Sequence, residues 1–308
     1  MPKKETSPVS QEKLLAFLLE PRSYSHRPER VRLAQTHASY LLLAAPYVYK
    51  VKKPVNFGFL DFSTLENRRY FSKREIILNR RLCPRIYLGV VPISLNEGRL
   101  VFGPGDEVVE YAVKMRKLQD RYFMLRLLKR DHVGTEDLDR VVLTLKTFYE
   151  AQTPTKEVTA WGEIEKLKIS TEENFRQTET FIGCTISRPA LETICLYTGN
   201  FYTRNAELFD SRIRQQWIRD CHGDLHLEHI HLAPKTLSIY DCIEFNDRFR
   251  YIDVANDVAF LAMDFDYQGR PGLVPAIYGA HGGRVRRSRD AAPHGFLQML
   301  PRLCAGQG

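Results

Sequence analysis

No two cysteines stand at the C-x-x-C spacing: Cys83, Cys184, Cys195, Cys221, Cys242 and Cys304 are scattered along the chain. The absence of that spacing argues against both a zinc ribbon and a disulfide scaffold, so a reducing, cytoplasmic setting is expected. Long hydrophobic runs are also missing. The longest, Tyr40 to Tyr49, is broken by Pro46 and is about half the roughly 20 residues a membrane helix requires. The charged start Met1-Pro2-Lys3-Lys4-Glu5 has no apolar stretch directly behind it, so no signal peptide is read there. No G-x-x-x-x-G-K-[ST] phosphate loop occurs, and no internal repeat is visible. Charge of one sign is in small excess only: 45 Lys+Arg face 37 Asp+Glu, a net +8 in 308 residues, which gives no ground for a nucleic-acid partner. What the chain does have is 44% hydrophobic and 11% aromatic residues, the composition of a globular protein with one large or two modest domains.

The apolar pattern changes period along the chain. Ser10 to Leu19 reads as a short helix that Ser10 caps, with Leu14, Leu15, Leu18 and Leu19 as its stripe. Tyr40–Leu43 and Tyr47–Lys52 are β-prone runs joined through Ala44-Ala45-Pro46. A charged helix over Phe71–Leu82 ends before Pro84. Strands follow at Ile86–Ile93 and Arg99–Phe102 around Asn96-Glu97-Gly98, and at Val108–Met115. From about residue 120 the period is helical: 121–130, 135–151, 171–185 and 189–218. A β-rich front and a helical back make an α+β protein of two lobes. The expected division is 1–115 for the N-lobe, 116–270 for the C-lobe and 271–308 for an aberrant tail. That tail holds five arginines and one aspartate, is rich in glycine, and is expected to be poorly ordered.

Chemistry concentrates in Cys221-His222-Gly223-Asp224-Leu225-His226-Leu227-Glu228-His229-Ile230 and, further on, Leu237-Ser238-Ile239-Tyr240-Asp241-Cys242-Ile243-Glu244. Asp224 falls on a loop, and a short apolar run delivers Asp241. Two loop carboxylates about seventeen residues apart, joined by a hairpin, suit phosphoryl transfer: one orients the attacking hydroxyl and the other holds Mg²⁺. Lys50 alternates with Val48 on one strand face, the spacing of the kinase Ala-x-Lys, so Lys50 is the candidate for the ATP phosphates; Lys52 faces the same way and competes with it. Glu75 on the next helix can pair with that lysine. Met115 to Leu118, at a strand-to-helix junction, reads as the hinge whose backbone holds adenine. His226, His229 and His231 lie close together, but without cysteine partners and at poor spacing they read as loop and strand residues rather than a metal cluster. Cys221 and Cys242 read as buried inert thiols.

His222-Gly223-Asp224-Leu225-His226 resembles the catalytic loop of the aminoglycoside phosphotransferase family, and Asp241 takes the place of the kinase metal-binding aspartate. The resemblance is closer to an uncharacterised bacterial branch of that superfamily, carried by Gln35–Ser39, Tyr49–Val55, Gly58–Leu65, Asn79–Leu82 and Tyr87–Val91, from about residue 10 to about residue 271. Members of that branch are often fused to a P-loop kinase-like domain. The resemblance implies a protein-kinase-like two-lobed fold with ATP and Mg²⁺ between the lobes. It implies transfer of a phosphoryl group to a hydroxyl of a small molecule, with Asp224 and His222 as catalytic residues and Lys50, Lys52, Glu75, Met115 and Leu118 around the nucleotide. Asp253 and Asp257 match a C-lobe pattern, Asp257 as support for the catalytic loop. The kinase pattern puts an asparagine five residues after the catalytic aspartate; here His229 stands there and joins Asp241 as the metal candidate. Mg²⁺ prefers hard oxygen, so Glu228, Glu244 or a water is the alternative donor, and a nucleotide-binding pseudokinase or interaction module is the alternative function. The resemblance stops near Pro271, and a one-base shift of a permissive back-translation of Leu297–Gln307 resembles a helix the branch carries there. A truncation or a frameshift near Gly272 is therefore expected.

Overall fold

The computed structural model describes residues 9–274. They divide into two units: residues up to Phe123 together with His231–Asn246, and Met124–Ile230 together with the chain from Asp247 onward.

The first unit is built on a six-stranded sheet of order β1-β2-β3-β6-β4-β5, antiparallel throughout. Helix α1 (Gln11–Leu19) precedes it, with the Ser10 side chain accepting from Lys13 N at 3.2 Å as expected. The strands are β1 (Arg32–Gln35), β2 (Ser39–Ala44) and β3 (Tyr47–Lys52). After them come helix α2 (Leu65–Asn79) and strands β4 (Tyr87–Asn96), β5 (Arg99–Phe102) and β6 (Glu107–Arg116). Alternation sorts the side chains between two faces. Leu42, Ala44, Tyr49, Val51, Ile93 and Ala112 form one core with Leu14 and Leu18 of α1, while Val48, Tyr87, Val113 and Met115 form another with Ile76 of α2. Burying each such leucine or isoleucine contributes about 1.5–3 kcal/mol. Because β3 is apolar on the α1 face, its alternate residues Lys50 and Lys52 fall on the face that α2 covers.

Helix α2 begins six residues before the start expected from sequence. Thr64 caps it, its side chain accepting from Asn67 N at 3.1 Å. The early turns were hidden because their inward face is polar: Arg68, Ser72, Glu75 and Asn79 are all buried. Arg68 is held there by Glu110, its Nε 2.9 and 2.8 Å from the two carboxylate oxygens, and by Phe62 O at 3.0 Å.

The second unit contains α3 (Met124–Leu128), α4 (Thr135–Ala151), α5 (Lys156–Ala160), α6 (Ile164–Glu179), α7 (Arg188–Arg204), α8 (Ala206–Arg214) and strand β7 (Ile218–Asp220). Helix α4 has the expected bounds, and Leu138, Val141, Leu145 and Phe148 form its buried stripe. Other expected helices differ. The one over 121–130 is confined to α3, and the one over 171–185 lies instead at 164–179, where only Thr171 and Thr178 are buried and the apolar period is weak. The helix over 189–218 is broken at Asn205, whose side chain donates to Phe201 O at 2.8 Å and closes α7. Trp217 follows a turn and Ile218 opens β7.

The chain then forms the hairpin β8 (Ile230–Ala233) and β9 (Thr236–Ile239), and Tyr240 packs against the Ile76–Tyr87 cluster of the first unit. It re-enters the second unit with β10 (Tyr251–Asp253), antiparallel to β7, and α9 (Val254–Tyr267). The division is therefore not the single cut expected after residue 115: the sheet unit runs on to Phe123 and takes back residues 231–246, because Asp241, Cys242 and Glu244 bond to its helix and strands. Pro271–Leu273 forms a short 3₁₀ turn. The expectations of disorder and of a frameshifted end beyond Val274 lie outside the described residues.

Candidate active site

In the first unit the expected lysines, Glu75 and Asp241 come together. Lys50 Nζ lies 2.6 Å from Asp241 Oδ1 and 3.0 Å from Glu75 Oε1. Lys52 Nζ donates to Glu75 Oε2 at 2.7 Å and to Glu244 Oε1, and lies 4.7 Å from the centroid of the Phe62 ring. The two lysines differ in surroundings. The Lys52 side chain is 0% exposed between two carboxylates, while Lys50 reaches Asp241, whose side chain is 39% exposed. Burial works against the Lys50 charge, yet Asp241, Glu75 and Glu244 hold its ammonium well above the ordinary lysine range. Burial likewise opposes ionisation of Glu75, but the two ammonium groups keep its carboxyl below the usual range. Burial pushes Glu244 up in spite of Lys52.

Asp241 sits two residues past the end of β9, not on the strand itself, in a left-handed conformation at φ 63°. Such a backbone costs a non-glycine residue roughly 1–2 kcal/mol. It is held by two residues that the sequence marked only as part of the resemblance, without a role: Asp241 N donates to Tyr87 Oη at 3.3 Å and Cys242 N to Asn79 Oδ1 at 2.9 Å. Asn79 in turn donates to Glu75 O at 2.9 Å, so one helix turn carries both the carboxylate and the clamp on the Asp241 loop. That four-residue spacing from Glu75 was the available signal. Glu244, a candidate metal oxygen from sequence, is committed to Lys52. Of the hinge residues, Met115 lies inside the sheet, in register with both Val48 and Tyr87, and Leu118 lies past its end.

In the second unit the Asp224 loop is fixed from beneath. The fully buried Asp257 accepts from His222 N at 2.9 Å, Gly223 N at 2.9 Å and Tyr149 Oη at 2.8 Å. Burial raises the Asp257 pKa against these donors. Gly223 is required: its φ is +86° and a Cβ there would meet Phe249 O at 2.6 Å. Arg250, wholly buried, pairs with Asp220 (Nε–Oδ1 2.8 Å) and Asp247 (Nη2–Oδ1 2.6 Å), and its carbonyl accepts from Cys221 N at 2.8 Å. His222 is buried, and its Nδ1 accepts from Asp224 N at 3.3 Å. Its ring therefore turns back on the loop and positions Asp224.

Above this base, Asp224 Oδ1 lies 2.8 Å from His226 Nε2. His226 Nδ1 is 3.8 Å from Asp264 Oδ2, which also accepts from Leu227 N at 2.9 Å. Burial disfavours the His226 cation, but the hydrogen-bonded Asp224 and the nearby Asp264 carboxylate push its pKa up to about 10. Burial opposes ionisation of Asp224 as well, while His226, followed by the charges of His229 and His222, holds its carboxyl below the usual range. Asp264 was not anticipated, although it follows Asp257 by two helical turns on α9. His229 Nδ1 lies 2.8 Å from the carbonyl oxygen of Asp224. Among the described residues no group of three or more His, Cys, Asp or Glu side chains is arranged to hold a metal ion unaided.

No protein-family model matches the chain. It is 29% identical over 263 residues to uncharacterised proteins of Mycobacterium bovis and Mycobacterium tuberculosis, an alignment covering 85% of this chain and 51% of theirs. The chain thus spans about half the length of the curated relatives it matches. Among solved structures it resembles an aminoglycoside phosphotransferase of Streptomyces rimosus, at 15% identity and a TM-score of 0.51, covering 94% of this chain and 98% of that one. It also resembles an amicoumacin kinase solved with AMP-PNP and Ca²⁺, at 14% identity and a TM-score of 0.50, covering 99% and 87%. The chain has the protein-kinase-like fold. Its antiparallel sheet and helical unit share that fold with the phosphotransferase it resembles, as the sequence motifs implied.

Proposed function

We propose that the chain is a phosphotransferase that moves the γ-phosphoryl group of ATP to a hydroxyl of a small molecule. Its main support is the meeting of Lys50, Glu75 and Asp241 at 3.0 and 2.6 Å in the first unit. Lys50, rather than Lys52, takes the nucleotide phosphates, since Lys52 is enclosed by Glu75 and Glu244 and serves to orient Glu75. Met115 to Leu118 is the adenine-binding segment in this reading. Asp224 accepts the hydrogen bond of the attacking hydroxyl and orients it. With its carboxyl held low by His226, it is a positioning group first and a weak base second.

The residues fit a divalent ion that arrives with a nucleotide. The Lys50 cluster sets two ammonium groups against three carboxylates, and Asp241, partly open to solvent, offers hard oxygen. A bound ion supplies neutralisation of the charge that develops on the transferring group. None of the five described cysteines forms a disulfide, and no described helix is long and apolar enough to cross a membrane; the reaction we propose is a cytoplasmic one on a small molecule.

The test is a screen of small hydroxyl compounds with γ-labelled ATP and Mg²⁺, using the full chain and Asp224→Ala. Label should pass to an acceptor with the wild type and not with the variant. A second reading, a nucleotide-binding pseudokinase, draws on His229 in the asparagine position and on the grip of Lys50 on Asp241. Metal-independent ATP binding with no transfer to any acceptor favours it.

A further inference from the structure

Asn79 and Tyr87 are buried polar side chains of the sheet unit, each 1% exposed. Both hold the segment that carries Asp241. Residues 240–244 belong to no helix or strand, and Asp241 keeps its φ of 63° there. A non-glycine residue persists in that conformation only where its surroundings hold it. Tyr87 Oη accepts from Asp241 N at 3.3 Å, and Asn79 Oδ1 accepts from Cys242 N at 2.9 Å. The orientation of the Asn79 amide follows from its partners. A backbone N–H only donates and a carbonyl only accepts, so Oδ1 faces Cys242 N and Nδ2 faces Glu75 O at 2.9 Å. Both ends of the side chain are therefore engaged, one on the loop and one on the turn of α2 that bears Glu75. The Asn79 carbonyl is engaged as well, accepting from Cys83 N at 2.9 Å and from Cys83 Sγ at 3.0 Å. A third anchor of the loop is the 2.6 Å contact of Asp241 Oδ1 with Lys50. In the phosphotransferase reading that anchor is temporary, because Lys50 turns to the nucleotide phosphates.

We propose that Asn79, assisted by Tyr87, is a positioning residue that keeps the Asp241 carboxylate aimed for the divalent ion once Lys50 has left it. The inference rests on the phosphotransferase reading. Side chains that orient a metal-binding carboxylate change metal affinity by about ten- to a hundredfold when they are removed. Leucine at position 79 has nearly the volume of asparagine but no acceptor. The buried Cys242 amide then loses its partner, and the loop can leave the left-handed backbone that sets the direction of Asp241. Asn79 follows Glu75 by one turn of α2 and is bonded to its carbonyl. The carboxylate that orients the lysines and the clamp on the metal loop therefore move as one piece.

The test is calorimetry of the full chain with ADP in chelator and with Mg²⁺·ADP; the ratio of the two affinities is the metal's share. Asn79→Leu should lower that ratio about tenfold or more and leave metal-free ADP affinity within about twofold. Tyr87→Phe keeps its ring in the core and removes only the Oη acceptor, so the ratio should fall in the same direction by less. Damage to the fold lowers both affinities together and leaves the ratio alone, so equal losses overturn the proposal, as does an unchanged ratio in both variants. Should Asn79→Leu fail to fold, Tyr87→Phe decides: a lowered ratio supports the clamp and an unchanged one refutes it. In these cases a wild-type chain whose ADP affinity rises with Mg²⁺ leaves the phosphotransferase reading standing. A wild type that binds ADP equally with and without Mg²⁺ overturns the proposal and favours the pseudokinase. A folded wild type that binds neither overturns both the proposal and the reading beneath it.

Discussion

Replacing Lys52 by methionine tests whether the two lysines of β3 do different work. Methionine nearly fills the lysine volume, so the change removes charge and opens little cavity. It strips the ammonium from Glu75 and Glu244, whose side chains are 0% and 6% exposed. Removing one member of a buried ion pair costs about 3–5 kcal/mol, a large part of the roughly 5–15 kcal/mol that separates folded from unfolded protein. Lys50→Met should cost only about 1 kcal/mol, because Asp241 is 39% exposed and can be hydrated, and Glu75 keeps Lys52. Both tryptophans, Trp161 and Trp217, lie in the second unit, so tryptophan fluorescence does not report on this cluster. Hydrogen exchange of the β3 amides does. A 3 kcal/mol loss raises their opening on the order of a hundredfold, while Lys50→Met should leave them within a few fold of wild type. Adding Glu244→Gln to Lys52→Met should return about 1–2 kcal/mol, since burial already disfavours that carboxylate. Equal protection loss in the two single variants, or no recovery in the double variant, refutes the division of labour.

Gly223→Ala should lower stability by about 2 kcal/mol or more and abolish transfer, from the left-handed backbone and the 2.6 Å approach of Phe249 O; thermal melts with a label-transfer assay check it. Tyr149→Phe removes one of three donors to the buried Asp257 and should cost about 1–2 kcal/mol by chemical denaturation. The His226 contribution to stability should be complete below pH 6.5, its unfolded value, and decline as pH rises through about 10. Asp224 and Asp264 act in the opposite direction, with folded values below 3.8, so their contribution is present above that pH and is lost as pH falls through the lowered values. Melting temperature against pH should therefore be flatter at both ends in His226→Gln; an unchanged profile counts against the Asp224–His226–Asp264 clamp.

The sheet unit was legible because its strands announce themselves by alternation: Tyr49 and Val51 against Val48, with a clear hairpin at Pro46. The start of α2 was not, because Arg68, Ser72 and Glu75 bury polar groups against partners distant in sequence, such as Glu110 and Lys52. Hydrophobic periodicity carries no trace of a partner 42 residues away. At the candidate site the acidic residues and lysines were visible as motif members, but their clamps were not. Asn79, Tyr87, Arg250 and Asp264 act through backbone groups of other elements, which no local spacing encodes. Lys50 and Lys52 were equivalent by strand parity and are distinguished only by what surrounds each.

The return of residues 231–246 to the sheet unit has a consequence for synthesis on the ribosome. Domains generally fold from the N-terminus as they emerge, yet here the partners that balance two buried ammonium groups are encoded after most of the helical unit. Until Asp241 and Glu244 leave the exit tunnel, Glu75 alone faces Lys50 and Lys52. The nascent sheet must wait with its charge unbalanced, and carboxylates translated more than a hundred residues later complete the first structure begun.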